Sequence, residues 1–367
     1  MNFLMKAMPE GRVSIKAITG NMHEQQEKNN MKKTRLLSGL MAIVLGAAML
    51  SGCGTKDGAQ ASSDSGAGGD VINIAIQPSA AFVPLYVARE KGWIEEALKE
   101  QGVTVNWNEF ESGPPMNESL ASGSSDIGVM GDVPAVSSIA AGQKNEIIAT
   151  AADGAQSYAM LVSADSEIAS AADLKGKKIG VTIGSTGHNL IDKLLTQNNL
   201  DINSDVELVN IATGDAATVL STGAVDAVAI WEPNVTRLVA DGTAKIISEG
   251  TDCGLLGVNP IIARAEYAQG HPEVIHTIIE QYARGVAELE NLDDETKTKV
   301  SEALSIAPEL LADVMAKYEY TVKISDDDIA NLQDTISFLV KIGNLDKEYD
   351  IKEYVKKNYV EESDVEL

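Results

Sequence analysis

Four short segments carry the side chains best suited to hold a ligand. They are Gln77-Pro78-Ser79, Gly131-Asp132-Val133-Pro134, Gly184-Ser185-Thr186-Gly187-His188 and Trp231-Glu232-Pro233. Each directly follows an apolar run. In the third, small residues allow close backbone approach, Ser185 and Thr186 offer hydroxyls, and a helical pattern begins at once. Free N–H groups at a helix start favour an anion, although the same hydroxyls also serve as ordinary N-caps. His188 is a ligand donor or a capping histidine. Trp231 walls a pocket or fills a core, and Glu232 holds a donor or a cation or faces solvent. Asp132 precedes Val133-Pro134, so a ligand contact and a turn or helix start are both open to it. Gln77 is an amide contact or a turn residue. None of the four segments contains lysine or arginine. An anion would therefore be held by neutral hydrogen bonds and helix N-termini. Asp132 and Glu232 would repel a multiply charged anion and would accept the amine of a zwitterion.

Catalytic patterns are missing. There is no His-Glu-x-x-His, Cys-x-x-Cys, Gly-x-Ser-x-Gly or P-loop, and the whole chain has four histidines. The expectation is a binding protein without a cofactor or metal rather than an enzyme.

Alternating strand and helix signals must position these segments, which argues for an α/β fold. Strand-like runs cover 71–76, 103–110, 127–130 and 147–151; helical spacing covers 84–97, 115–121 and 189–195. A near-repeat sets the organisation. Leu120-Ala-Ser-Gly123-Ser-Ser-Asp126-Ile-Gly-Val-Met130 matches Leu220-Ser-Thr-Gly223-Ala-Val-Asp226-Ala-Val-Ala-Ile230, an offset of 100 residues. Runs 71–76 and 178–183, and 103–110 and 206–212, pair more loosely in the same order. The body thus reads as two similar α/β lobes, residues 71–161 plus 261–367 and residues 162–260, crossed twice, at 161–163 and 260–263. The helical patterns after 264 (272–290 and 329–342) should return to cover the first lobe. Two crossings make a hinge, which suits closure around a small-molecule ligand. In such sheets ligands sit outside the carboxyl ends of the strands, where all four segments fall.

The first 70 residues read as targeting. Lys32, Lys33 and Arg35 precede a 15-residue apolar run at 36–50, short for a membrane span and suited to a signal peptide. Leu50-Ser51-Gly52-Cys53 resembles the bacterial lipobox, so 31–52 is read as the signal peptide and Cys53 as the lipidated residue. Residues 1–30 lack an apolar run and are read as a mis-assigned upstream start. Residues 53–70 form a polar tether. From Cys53 onward the chain has 22 basic and 51 acidic residues, a net charge of −29. That argues against nucleic acid as a partner and assigns membrane attachment to the lipid. Cys253 is then the one remaining cysteine, expected as a packed small hydrophobe.

Taken in order, these pieces resemble a known family. Pro84-Leu-Tyr-Val-Ala-Arg-Glu-Lys-Gly-Trp93, Ser112-Gly-Pro-Pro-Met116, Gly131-Asp132-Val-Pro134, Ala172-Asp-Leu-Lys-Gly-Lys-Lys-Ile-Gly-Val181, Gly184-Ser-Thr with His188, and Trp231-Glu-Pro233 are similar to motifs of the aliphatic sulfonate, taurine and nitrate substrate-binding proteins of ABC importers. The likeness spans residues 71–290. It implies the two-lobe type II periplasmic binding protein fold and a solute held between the lobes. By motif it implies contacts from Gln77, Asp132, Ser185, Thr186, His188, Trp231 and Glu232. The implied partners are an ABC permease and its ATPase, and the implied place is the outer face of the cytoplasmic membrane, as a lipid-anchored monomer. Gly187 and Asn189 depart from the alanine and aromatic that flank the histidine in relatives, which leaves the ligand's shape open. Thiamine-precursor pyrimidines or riboflavin, bound by related proteins, and a sensor role are the alternatives.

Overall fold

The computed structural model describes residues 70–363 and 365, which fall within one contact unit. The upstream segment, the signal peptide, Cys53 and the tether to residue 69 lie outside the described residues. Strands run β1 (Asp70–Ile76), β2 (Val103–Glu109), β3 (Ile127–Val129), β4 (Asn145–Asp153), β5 (Tyr158–Ser163), β6 (Lys178–Val181), β7 (Glu207–Asn210), β8 (Ala227–Trp231), β9 (Ala244–Glu249), β10 (Asn259–Arg264) and β11 (Glu319–Tyr320).

They form a six-stranded sheet, β11-β4-β10-β3-β1-β2, and a five-stranded sheet, β7-β6-β8-β5-β9. In the first, β1 pairs in parallel with β2 and β3, and β10 runs antiparallel between β3 and β4. The second repeats the plan: β6 pairs in parallel with β7 and β8, and β5 runs antiparallel between β8 and β9. This is the expected α/β, two-lobe type II arrangement with two crossings. The crossings fall at 154–157 and 250–258, both earlier than the sequence suggested. Tyr158 to Leu161 already pair with β8, and Asn259 and Pro260 already pair with β4. An apolar run reads the same in either sheet, so the sequence pattern could not assign these residues to a lobe.

The near-repeat has a physical basis. Gly123 and Gly223 end equivalent helices in the left-handed region, φ +73° and +68°, which glycine adopts without cost from a Cβ. Asp126 and Asp226 then pin β1 and β6, the equivalent strands of the two lobes. The Asp126 carboxylate accepts from Asn73 N at 2.9 Å and the Asp226 carboxylate from Lys178 N at 2.8 Å.

The central strands β3, β4, β5, β8 and β10 are buried almost throughout, as strands covered on both faces are, whereas the edge strands β2, β7 and β11 are partly exposed and polar. On β1, Ile72, Ile74 and Ile76 point into one core while Ala75 joins the other. On β8, Ala227, Ala229 and Trp231 face one core and Val228 and Ile230 the other. Each fully buried isoleucine contributes about 1.5–3 kcal/mol. The helical run expected at 84–97 is two helices, Val83–Glu90 and Trp93–Glu100, broken at Gly92 with φ +70°. The later helices cover the first lobe as expected. Pro272–Glu288 lies so close to Val83–Glu90 that a Cβ on Gly285 would stand 2.2 Å from Pro84 O. Helix Asp326–Lys341 does more, because it also reaches the second lobe: Lys193 pairs with Asp334, and Lys341 Nζ donates to Thr196 Oγ1 at 2.8 Å. Among the described residues no helix is long and apolar enough to cross a membrane.

Candidate functional site

The carboxyl ends of β1, β3, β6 and β8 converge where the lobes meet, and the four segments follow them. Gln77, Ser185, Thr186 and Trp231 line one interior cavity, together with Ser79, Gly131, Tyr158 and Asn259. Its volume is about 20 Å³, room for about one water molecule. Two lining side chains hold polar atoms that are buried and have no protein partner: Ser185 Oγ and Gln77 Oε1. Ser185 is the N-cap residue of helix Thr186–Gln197, yet its hydroxyl makes no capping bond. The capping alternative is thus not what this side chain does. Gln77 Nε2 donates a long 3.4 Å bond to Val129 O.

Thr186 lines the cavity but has already committed its proton. Its hydroxyl donates to Asp132 Oδ1 at 2.6 Å, leaving only lone pairs toward a ligand. Asp132, 0% exposed, is fully occupied. Oδ1 also accepts from Val133 N at 2.8 Å, and Oδ2 accepts from Asn331 Nδ2 at 3.1 Å and Thr335 Oγ1 at 2.6 Å. Burial raises the Asp132 pKa, and these hydrogen bonds oppose the rise. Within this structure Asp132 is therefore a fastener between lobes.

Glu232 behaves alike from the opposite side. It is 0% exposed, and its carboxylate pairs with Lys317 of the first lobe. It also accepts from Thr236 N at 3.0 Å and Thr236 Oγ1 at 2.8 Å, and its backbone O accepts from Ala80 N at 3.3 Å. Neither carboxylate lines the cavity. His188 does not line it either. Its Nδ1 accepts from Gly184 N at 3.4 Å, and its ring stands edge-on to Phe338, 5.2 Å between centroids. Burial pushes the His188 pKa down to about 4, so the ring is neutral and carries its proton on Nε2.

Several residues of the site were invisible in the sequence. Tyr158 OH donates to Asn259 Oδ1 at 3.0 Å, and Asn259 Nδ2 donates to Gly257 O at 2.7 Å. Tyr158 and Asn259 stand at the two crossings, where only the tertiary fold brings them beside the cavity. Lys317 supplies a cation that the four segments lack, whereas Arg237 does not line the interior cavity and borders only the outer groove. Trp231 is shared: it lines both the interior cavity and an outer groove of about 280 Å³ between the lobes.

Comparison with known proteins agrees with this architecture. The family described as NMT1/THI5 like matches residues 79–295. A protein of Bacillus subtilis (strain 168), named as aliphatic sulfonates-binding, is 31% identical over 331 residues, covering 89% of this chain and 96% of that protein. A protein of the same designation from Escherichia coli (strain K12) is 28% identical over 275 residues, 74% of this chain and 85% of the relative. The crystal structure of the alkanesulfonate-binding protein of Xanthomonas axonopodis pv. citri, bound to MOPS, shares the fold. It has a TM-score of 0.71 and 24% identity over 78% of this chain and 98% of that one.

Proposed function

The chain belongs to the NMT1/THI5-like family, and from that premise we propose that it captures a small sulfonate-type solute between its lobes for an ABC importer. The observation that carries the reading is the interior cavity at the strand ends. There a partnerless Ser185 hydroxyl stands at the start of a 12-residue helix beside the Gln77 amide, and Trp231 forms one wall. A hydroxyl donor at a helix N-terminus suits one tetrahedral oxyanion. A relative covered over 96% of its length carries the sulfonate designation.

The mechanism is closure. A solute enters when the lobes part. Thr186 then docks on Asp132 and Lys317 on Glu232 as the lobes meet, and water is excluded from the polar head. Docking on the permease and its ATPase reopens the cleft. The protein acts extracytoplasmically, held at the membrane through lipid on Cys53, as a monomer and without catalysis. Calorimetric titration of the purified protein with ethanesulfonate, taurine, nitrate, a thiamine-precursor pyrimidine and riboflavin tests this. Tightest binding of ethanesulfonate or taurine is expected. Binding confined to the pyrimidine or flavin would refute it.

A further inference from the structure

We propose that the outer groove is a second subsite, built for a distal carboxylate on the ligand, so that the preferred solutes are sulfonates carrying a carboxylate at the far end of a short chain. This deepens the sulfonate reading and rests on it. The groove shares Trp231 with the interior cavity and holds about 280 Å³. Its floor and rim come from both lobes: Pro78 and Ser305 from the first, Asn234 and Arg237 from the second. The chain of a ligand whose head binds at the interior cavity would reach this space beside Trp231, the residue common to both.

Arg237 is the group that gives the groove its selectivity. It is half-buried and already oriented: Nη1 donates to Ser305 O at 3.4 Å and Nη2 donates to Asn234 Oδ1. Among the described residues it makes no ion pair. A guanidinium has five donors in a planar fork, so donors remain for a carboxylate, which that fork meets in bidentate geometry. Ser305 is held at φ +54°, a backbone conformation uncommon for a residue with a side chain. Glu111 and Asp215 also border the groove, but both are exposed, so water and salt screen them. The two acids expected from the sequence to repel a dianion do not face it. Asp132 is saturated by Val133, Thr186, Asn331 and Thr335, and Glu232 is paired with Lys317.

The test is calorimetric titration of the full protein and its Arg237→Gln and Arg237→Lys variants. The ligands are ethanesulfonate, propanesulfonate, sulfoacetate, 3-sulfopropionate and 4-sulfobutyrate. For the wild type, one of the sulfocarboxylates should bind about tenfold or more tightly than the plain alkanesulfonates, the range of a charge-assisted hydrogen-bond pair. Arg237→Gln should erase that preference and leave the alkanesulfonates within about twofold, which also shows that the variant folds. Arg237→Lys should restore part of it. Equal affinity of the wild type for both series would overturn the inference while leaving the sulfonate reading intact. Equal weakening of both series in Arg237→Gln would also overturn it, assigning Arg237 to lobe closure through Ser305. Failure of every sulfonate to bind would overturn the parent reading first.

Discussion

Gly131→Ala should hold the lobes apart without disturbing either one. Gly131 has φ −68° and ψ 168°, values open to any residue, so the backbone tolerates alanine. A Cβ there would stand 2.3 Å from Thr186 Oγ1, 3.4 Å from Thr186 Cβ and 3.4 Å from Tyr158 OH. All three atoms belong to the second lobe, whereas Gly131 belongs to the first. The methyl group therefore conflicts only with the closed arrangement. Closing would require Thr186 to give up its 2.6 Å bond to Asp132, worth about 1.5–3 kcal/mol for a bond to a charged group. Overpacking adds about 1–3 kcal/mol. Together these weaken closure by about 2.5–6 kcal/mol, so ethanesulfonate affinity should fall at least about fiftyfold. Calorimetry reads the affinity, and small-angle scattering of the same sample should give a larger radius of gyration than wild type. Wild-type affinity with an unchanged scattering profile would show that Gly131 and Thr186 do not meet during binding, and the closure argument would fail.

Three further outcomes follow from named groups. Lys317→Met strands the Glu232 carboxylate, 0% exposed, with only Thr236 for company; breaking a buried pair this way costs about 3–5 kcal/mol. Denaturant unfolding should show that loss, and the double variant with Glu232→Gln should regain most of it. Asp153 holds its proton in the folded chain up to about pH 8, chiefly through burial and then through the charge of Asp328, whereas an unfolded aspartate ionises near 4. Between those values the folded state binds more protons, so this group makes stability fall as pH rises; Asp153→Asn should raise the melting temperature at pH 8 and change it little near pH 4. Cys53→Ala should release the protein from the membrane fraction into the medium, as an immunoblot of the two fractions would show; retention would remove the lipid anchor.

The fold was readable where a local rule suffices. Gly123 and Gly223 had to end helices, and Asp126 and Asp226 had to start the next strands, because those residue types at that spacing solve a backbone problem that recurs in both lobes. The order of the strand units followed from the same repeat. What failed was lobe membership at the crossings. Tyr158 to Leu161 form an apolar run that either sheet could accept, and only hydrogen-bonded register with β8 assigns it. Gly92 was missed for a related reason: the amphipathic spacing of 84–97 continues through the break, so periodicity alone cannot report a change of axis.

The site was readable as a place, whereas the partners of its side chains were not. All four segments do stand at strand ends around the cleft, because that follows from topology. The two carboxylates looked available because their partners are far away in sequence. Asp132 is saturated by Thr186, Asn331 and Thr335, and Glu232 by Lys317. No window of local sequence contains those pairs. A buried carboxylate must find donors or give up its charge, so complete burial of Asp132 and Glu232 implies tertiary partners, and those partners come from the opposite lobe or from the returning 326–341 helix. The same acids that a sequence reading offers to the ligand thereby join the two lobes. The lining atoms left without a protein partner at the cavity are Ser185 Oγ and Gln77 Oε1. Among the described residues no carboxylate lines the cavity, so the proposed anion would meet no like charge on its walls.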